Sequence, residues 1–186
     1  LRPTELCGKR VLVIGCGGIG MCLAERCAAF GMRVDVITET MMPLVGFIDR
    51  VFLSDQLMEP VPEADVVFIA APETPATKKI IGEEVLSVMK DSAYLINVSR
   101  GTLVDLEALV KNLASGRLEG VGLDVTDPEP LSDNHPLYSF DRVLITPHVA
   151  GITTNKSRRF DLIRTNIRRF SSGMPLVNVV DKNLGY

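Results

Sequence analysis

Tryptophan is absent from these 186 residues, and aromatic residues make up only 5% of them. Histidine occurs twice, at His135 and His148, so no histidine-built metal site is expected. The four cysteines, Cys7, Cys16, Cys22 and Cys27, all fall within the first 27 positions and form no C-x-x-C pair. That pattern reads as reduced, partly buried thiols rather than a disulfide framework, and it points to a reducing, cytoplasmic setting, with an organelle as the alternative. Neither sign of charge dominates: Lys and Arg number 20 against 23 Asp and Glu, a net charge of −3. Nucleic-acid binding as the main task is thereby disfavoured. No apolar run approaches the length of a membrane span. The chain shows no internal repeat and no low-complexity segment. It begins at Leu1 rather than Met, so it carries no information about a targeting peptide. With 46% hydrophobic and 23% charged residues, it has the composition of a soluble domain large enough for a sizeable core.

What is present is concentrated first in Val11-Leu-Val-Ile-Gly-Cys-Gly-Gly-Ile-Gly20. A run of aliphatic, strand-favouring residues stops at three spaced glycines, Gly15, Gly17 and Gly20, and Met21–Phe30 behind them reads as a helix. Strand, glycine turn and helix N-terminus in that order form a dinucleotide-binding fingerprint. Gly15 permits the tight turn, Gly17 removes the Cβ from the path of a pyrophosphate, and Gly20 lets helix and strand pack closely. The helix N-terminus presents N–H groups and a positive dipole end to phosphate. The plainer reading is a glycine-rich turn that binds nothing; the strand and helix in register favour the nucleotide.

The pattern continues as strands alternating with helices. Strands are expected at Arg10–Ile14, Arg33–Ile37, Arg50–Leu53, Asp65–Ala71, Ala93–Asn97, Gly120–Val125 and Val143–Thr146. Helices are expected from Gly18 to Phe30, closed by Gly31, over Gly82–Met89 and Asp105–Leu113, and from a cap at Thr153 or Thr154 to about Ser171. The fold class that follows is α/β, a doubly wound parallel sheet. In such sheets ligands sit at the carboxyl ends of the strands. The loops that leave those ends carry Arg100, Asp124, Glu129 and His148, which the topology gathers at one rim. The basic stretch Lys156–Arg159 with Arg164, Arg168 and Arg169 is interleaved with Phe160, Leu162, Ile163, Ile167 and Phe170, and reads as an amphipathic helix with a solvated basic face. The tail Pro175–Tyr186 reads as extended.

Five blocks, GCGGIG (15–20), NVSRGTLVD (97–105), SGRLEGVGLDVTDPEPL (115–131), HPL (135–137) and TPHVAG (146–151), stand in an order and spacing that resemble the D-isomer-specific 2-hydroxyacid dehydrogenases. The likeness covers nearly the whole chain, from about Leu6 onward. It implies a Rossmann dinucleotide-binding domain over residues 1–171, and a tail, 172–186, that returns to a substrate domain which the family builds mainly from sequence ahead of this fold. Nothing in these residues supplies that domain, so they are expected to bind dinucleotide but to turn over 2-keto acids poorly by themselves. A homodimer through the nucleotide domain is a further family expectation.

The implied catalytic trio is Arg100, Glu129 and His148. Arginine offers a planar fork of donors to a substrate carboxylate. Imidazole exchanges a proton near neutral pH. Glu129 is expected to pair with it and hold its tautomer, and is preferred to Asp127 because its Pro-Glu-Pro register matches the family. His135, before Pro136, is expected only to shape a loop. The implied cofactor contacts run around the rim: Gly15, Gly17, Gly18, Ile19 and Gly20 at the pyrophosphate; Thr38 and Glu39 after the second strand; Ala71, Pro72 and Thr77 after the fourth; Val98, Ser99 and Arg100 after the fifth; then Asp124 at the nicotinamide, with His148 and Gly151. Two positions depart from the family. Gly18 stands where arginine is common, which removes one side-chain contact to the pyrophosphate. Thr38 stands where NAD-preferring members carry aspartate, with Glu39 beside it and Asp35 inside the strand. No arginine follows to hold a 2′-phosphate, so NAD is favoured and NADP left open. The activity implied is NAD(P)-dependent reduction of a small 2-keto acid, or oxidation of the 2-hydroxy acid. The rival is a dinucleotide-sensing transcriptional corepressor of the C-terminal-binding-protein type, which keeps the same trio.

Overall fold

A computed structural model describes residues 4–155 and 157–183; Lys156 of the basic stretch and the last three residues of the tail lie outside the described residues. The chain divides into two compact units, Leu1–His148 and Val149–Tyr186.

The first unit is built on seven parallel strands: β1 (Arg10–Ile14), β2 (Arg33–Thr38), β3 (Arg50–Leu53), β4 (Val66–Ile69), β5 (Tyr94–Asn97), β6 (Gly120–Leu123) and β7 (Val143–Ile145), in the spatial order 3-2-1-4-5-6-7. Helices α1 (Gly18–Ala29), α2 (Glu83–Val88) and α3 (Leu106–Ala114) cover its faces. Successive side chains of a strand point to opposite faces, and two cores result. Leu12, Ile14, Val67, Ile69 and Leu95 point into the larger one, with Leu86 of α2 and Leu109 and Leu113 of α3. Val11, Val13, Val34 and Val36 point the other way, onto Ala24 and Cys27 of α1. Burying each large aliphatic side chain contributes about 1.5–3 kcal/mol.

Local chemistry sets the ends of the helices. Gly31, with φ +75°, closes the turn after α1. Asp105 caps α3: its Oδ1 accepts from the N–H groups of Glu107 and Ala108 at 3.1 and 3.3 Å. The chain reverses direction in sheet order beside β1. β2 lies on one side and β4 on the other, so the carboxyl end of β1 opens at the switch point.

The second unit contains α4 (Ser157–Ser171). The cap expected at Thr153 or Thr154 is corrected. Thr153 Oγ1 accepts from the Asn155 N–H, and Asn155 Oδ1 takes the Ser157 N–H at 3.0 Å. Several short polar side chains stand in a row here, and the one nearest the first turn wins. The start of the tail folds back along the helix. The Asn166 side chain donates to Val177 O and accepts from Val177 N, both at 2.9 Å. Among the described residues no helix is long and apolar enough to cross a membrane.

Candidate functional site

The β1–α1 turn contains two kinds of glycine. Gly15 has φ +95°, and a Cβ there would lie 2.5 Å from the Ala71 backbone. A Cβ at Gly20 would lie 1.9 Å from Gly15 O. Packing within the chain thus accounts for both. At Gly17 and Gly18 a Cβ would meet nothing within 4 Å. Their bareness serves nothing inside the protein; it keeps open the space at the helix N-terminus. Gly17 caps α1 without a side-chain hydrogen bond, the first turn carries no acidic residue, and the first intrahelical bond runs from Met21 N to Gly17 O. The N–H groups of Gly18, Ile19 and Gly20 precede it, and Ile19 is exposed. This cradle fits a pyrophosphate. Burial raises the pKa of the Cys16 thiol inside the turn, and its Sγ lies 3.1 Å from Met21 Sδ, so it stays protonated and apolar in character.

Thr38 ends β2, where its hydroxyl donates to Thr40 O at 3.2 Å, and Glu39 beside it is exposed. Asp35 is fully buried in mid-strand. Arg10 Nη1 reaches its two oxygens at 3.0 and 2.9 Å, and Arg50 Nε and Nη2 reach them at 3.0 and 2.7 Å. This acid is committed to the sheet and stands away from the strand's carboxyl end. The loop after β4 is drawn together by Thr77, whose hydroxyl donates to Pro72 O at 2.7 Å. Ala71 is buried and Pro72 exposed. The Ser99 hydroxyl donates to Ala71 O and ties the loop after β5 to the loop after β4, while Val98 N donates to Ile69 O at 3.3 Å.

Arg100 projects from a turn that buried Asn97 organises: its Nδ2 donates to Arg100 O at 2.8 Å, and its Oδ1 accepts from Ser99 N at 3.0 Å. The Arg100 guanidinium is exposed and donates to Ser99 O. Gly101 explains how this loop meets the next one. A Cβ there would fall 2.0 Å from the Thr126 carbonyl carbon, so backbone lies directly against backbone.

On the β6 and β7 loops, His148 Nδ1 and Glu129 Oε1 are 2.7 Å apart, both side chains being about half exposed. An ionised carboxylate only accepts, so Nδ1 carries the proton and Nε2 is the nitrogen left to exchange one. The second oxygen of Glu129 accepts from Thr126 N at 3.4 Å. His148 has φ +53°, a left-handed conformation that costs a non-glycine residue on the order of 1–3 kcal/mol. Bonds from its N–H to Asp124 O, at 2.8 Å, and to Thr146 O, at 3.0 Å, hold it there. Asp124 is buried and accepts from the Thr146 hydroxyl at 2.5 Å. Asp124, Glu129, Tyr138, Thr146 and His148 share the lining of a cavity of about 480 Å³. His135 shapes its loop, its Nδ1 accepting from Leu137 N at 3.3 Å. Gly151 falls in the second unit. Asn97, Gly101, Thr126 and Thr146 were not singled out from sequence, although all but Thr126 stand one to three positions from Arg100 or His148. Among the described residues, no group of three or more His, Cys, Asp or Glu side chains is placed to hold a metal ion.

Comparison with known proteins gives a consistent family. Residues 1–150 match the family described as D-isomer specific 2-hydroxyacid dehydrogenase, NAD binding domain. A glyoxylate reductase of Thermofilum pendens is 42% identical over 168 residues, 86% of this chain and 47% of that protein. A crystal structure of a D-isomer specific 2-hydroxyacid dehydrogenase from Xanthobacter autotrophicus, in complex with NADPH and MES, superposes with a TM-score of 0.92 at 34% identity; the match covers all of this chain and 76% of that one. A glyoxylate/hydroxypyruvate reductase from Sinorhizobium meliloti, solved with NADP and sulfate, gives 0.90 at 28% identity, covering all of this chain and 60% of that one. The chain spans about half the length of the curated relatives it matches.

Proposed function

The chain belongs to the D-isomer specific 2-hydroxyacid dehydrogenase family, as its NAD-binding domain, and on that premise we propose that its carboxyl rim serves redox exchange between a nicotinamide dinucleotide and a small 2-hydroxy or 2-keto acid. The observation that carries the reading is the His148–Glu129 pair at 2.7 Å, on the same rim as the open glycine cradle. When bound, the nicotinamide supplies or accepts the hydride. The residues of the chain supply the rest. Gly17, Gly18 and Ile19 hold the pyrophosphate, with Gly15 and Gly20 shaping the turn. Thr38 and Glu39 face the adenosine ribose, and Ala71, Pro72, Thr77, Val98 and Ser99 line the path between the two ends. Asp124 meets the nicotinamide end. Arg100 holds the substrate carboxylate with its planar donors and polarises the neighbouring carbonyl. His148 gives a proton from Nε2 to the carbonyl oxygen during reduction and takes it back in the reverse direction. Glu129 keeps Nδ1 protonated and the ring oriented.

Glu39 at the rim and the engagement of Arg50 with Asp35 and Glu63 favour NAD over NADP, because a 2′-phosphate meets a carboxylate where it needs a cation. Titration with both dinucleotides checks this. NAD is expected to bind more tightly, and the charge-reversing Glu39→Lys variant to narrow the gap.

The decisive assay follows NADH and NADPH oxidation by the full-length protein with glyoxylate, hydroxypyruvate, pyruvate and 3-phosphohydroxypyruvate. Turnover of at least one is expected. Tight dinucleotide binding with none turned over would replace the enzyme by a dinucleotide-sensing regulator.

A further inference from the structure

Thr146 follows β7, immediately before Pro147 and His148, and its backbone continues the sheet by donating from its N–H to Leu123 O at 2.9 Å. Its side chain does something the ladder does not require. The hydroxyl donates to Asp124 Oδ1 at 2.5 Å, the length of a short hydrogen bond to an ionised acceptor. Asp124 is only 6% exposed. Two residues on, the His148 N–H donates to the carbonyl of the same Asp124 at 2.8 Å. The segment 146–148 therefore grips Asp124 twice, once by its side chain and once by its backbone.

We propose that Thr146 is a positioning residue that aims the Asp124 carboxylate at the nicotinamide end of the dinucleotide and thereby sets the balance of affinity between the oxidised and reduced cofactor. The proposal rests on the reading of Asp124 given above. A carboxylate has two rotatable bonds between its oxygens and the backbone, and a donor fixed to the next strand removes that freedom. The direction of the effect follows from charge. The oxidised nicotinamide ring is cationic and the reduced ring is neutral, so a carboxylate held beside it favours the oxidised form. A ligand that binds two states of a site differently shifts their balance only by that difference. Loss of the aim thus costs the oxidised cofactor most.

The test is calorimetric titration of the full-length protein with oxidised NAD, NADH and ADP-ribose, which ends before the nicotinamide. Wild type, Thr146→Val, Thr146→Ser and Asp124→Asn are compared. Valine keeps the shape of threonine and removes the donor. Thr146→Val is expected to weaken oxidised NAD by about five- to tenfold, the range that one hydrogen bond accounts for. NADH is expected to change less and ADP-ribose by under about twofold. Thr146→Ser, which keeps the hydroxyl, is expected to restore wild-type ratios. Equal losses for all three ligands, no loss at all, or a serine variant as impaired as valine would overturn the proposal. Asp124→Asn separates the two levels. If it shifts the ratio of oxidised NAD to ADP-ribose while Thr146→Val does not, Thr146 alone is wrong. If it leaves the ratio unchanged, Asp124 does not serve the nicotinamide and both readings fall, as they do if wild type binds none of the three.

Discussion

The two rims of the one sheet use the same side-chain types to opposite ends. At the amino rim, Asp35 lies between Arg10 and Arg50, and Arg50 continues to Glu63 at 3.1 Å. Asp65 accepts from the Arg10 backbone N–H and from Lys90, at 2.8 and 2.9 Å, with Lys9 at 3.8 Å. Every carboxylate in that group faces a cation of fixed charge. At the carboxyl rim, Glu129 instead faces the imidazole of His148, half exposed, and the Arg100 guanidinium lies open to solvent. Charges that neutralise one another hold strands in register; charges left within reach of solvent are available to a ligand. Asp35 falls on the first side of that contrast: it is buried and both of its oxygens are taken by Arg10 and Arg50.

The largest effect is expected at Asp35. Asp35→Ala leaves two arginines without their shared carboxylate, and about 3–5 kcal/mol of stability is expected to be lost in urea unfolding. The NADH affinity of the folded fraction is expected to stay unchanged; a selective loss of affinity would return Asp35 to the site. Gly101→Ala drives a methyl group into the Thr126 backbone. It is expected to cost about 1–3 kcal/mol as overpacking and to reduce turnover more than NADH affinity, because it pushes the loop of Arg100 off the loop that runs from Thr126 to Glu129. Glu129→Gln keeps the shape of the carboxylate and removes its charge, and a loss of about tenfold in turnover is expected with stability unchanged; a large drop in unfolding free energy would make the pair structural.

Acid is expected to have the smallest effect. Burial raises the Asp65 pKa, but the Arg10 N–H and the Lys90 ammonium outweigh it and hold the carboxyl below its ordinary range. The Arg50 guanidinium does the same for Glu63, and the Lys79 ammonium for Asp105. A carboxylate depressed in the folded state contributes stability that is complete above its unfolded pKa of about 4 and is lost as pH falls through the lower folded value. Unfolding free energy is therefore expected to be level above about pH 5 and to decline below about pH 4. Lys90→Met is expected to flatten the part due to Asp65.

Much of this was legible in the sequence because local physics carries it. The aliphatic run into Gly15 fixes β1, Gly31 stops α1, and the alternation of Arg33–Ile37 marks a half of β2 facing each core. The pairing of Glu129 with His148 came through a motif register that spacing alone does not supply. Contacts made only by folding were not legible. Arg50 becomes the neighbour of Asp35 through the register of β2 with β3. Thr146 meets Asp124 because β7 pairs with β6, and Gly101 meets Thr126 because two loops leave adjacent strands. The α4 cap fell to Asn155 because neighbouring short polar residues compete for the same N–H groups.

Whether the carboxyl rim performs proton chemistry beside a bound dinucleotide is read from NADH affinity and 2-keto acid turnover, measured together for His148→Ala in the full-length protein. Affinity within about twofold of wild type is expected, with turnover reduced by about a thousandfold, the range of a lost general acid. Turnover equal to wild type with the histidine gone would contradict that chemistry.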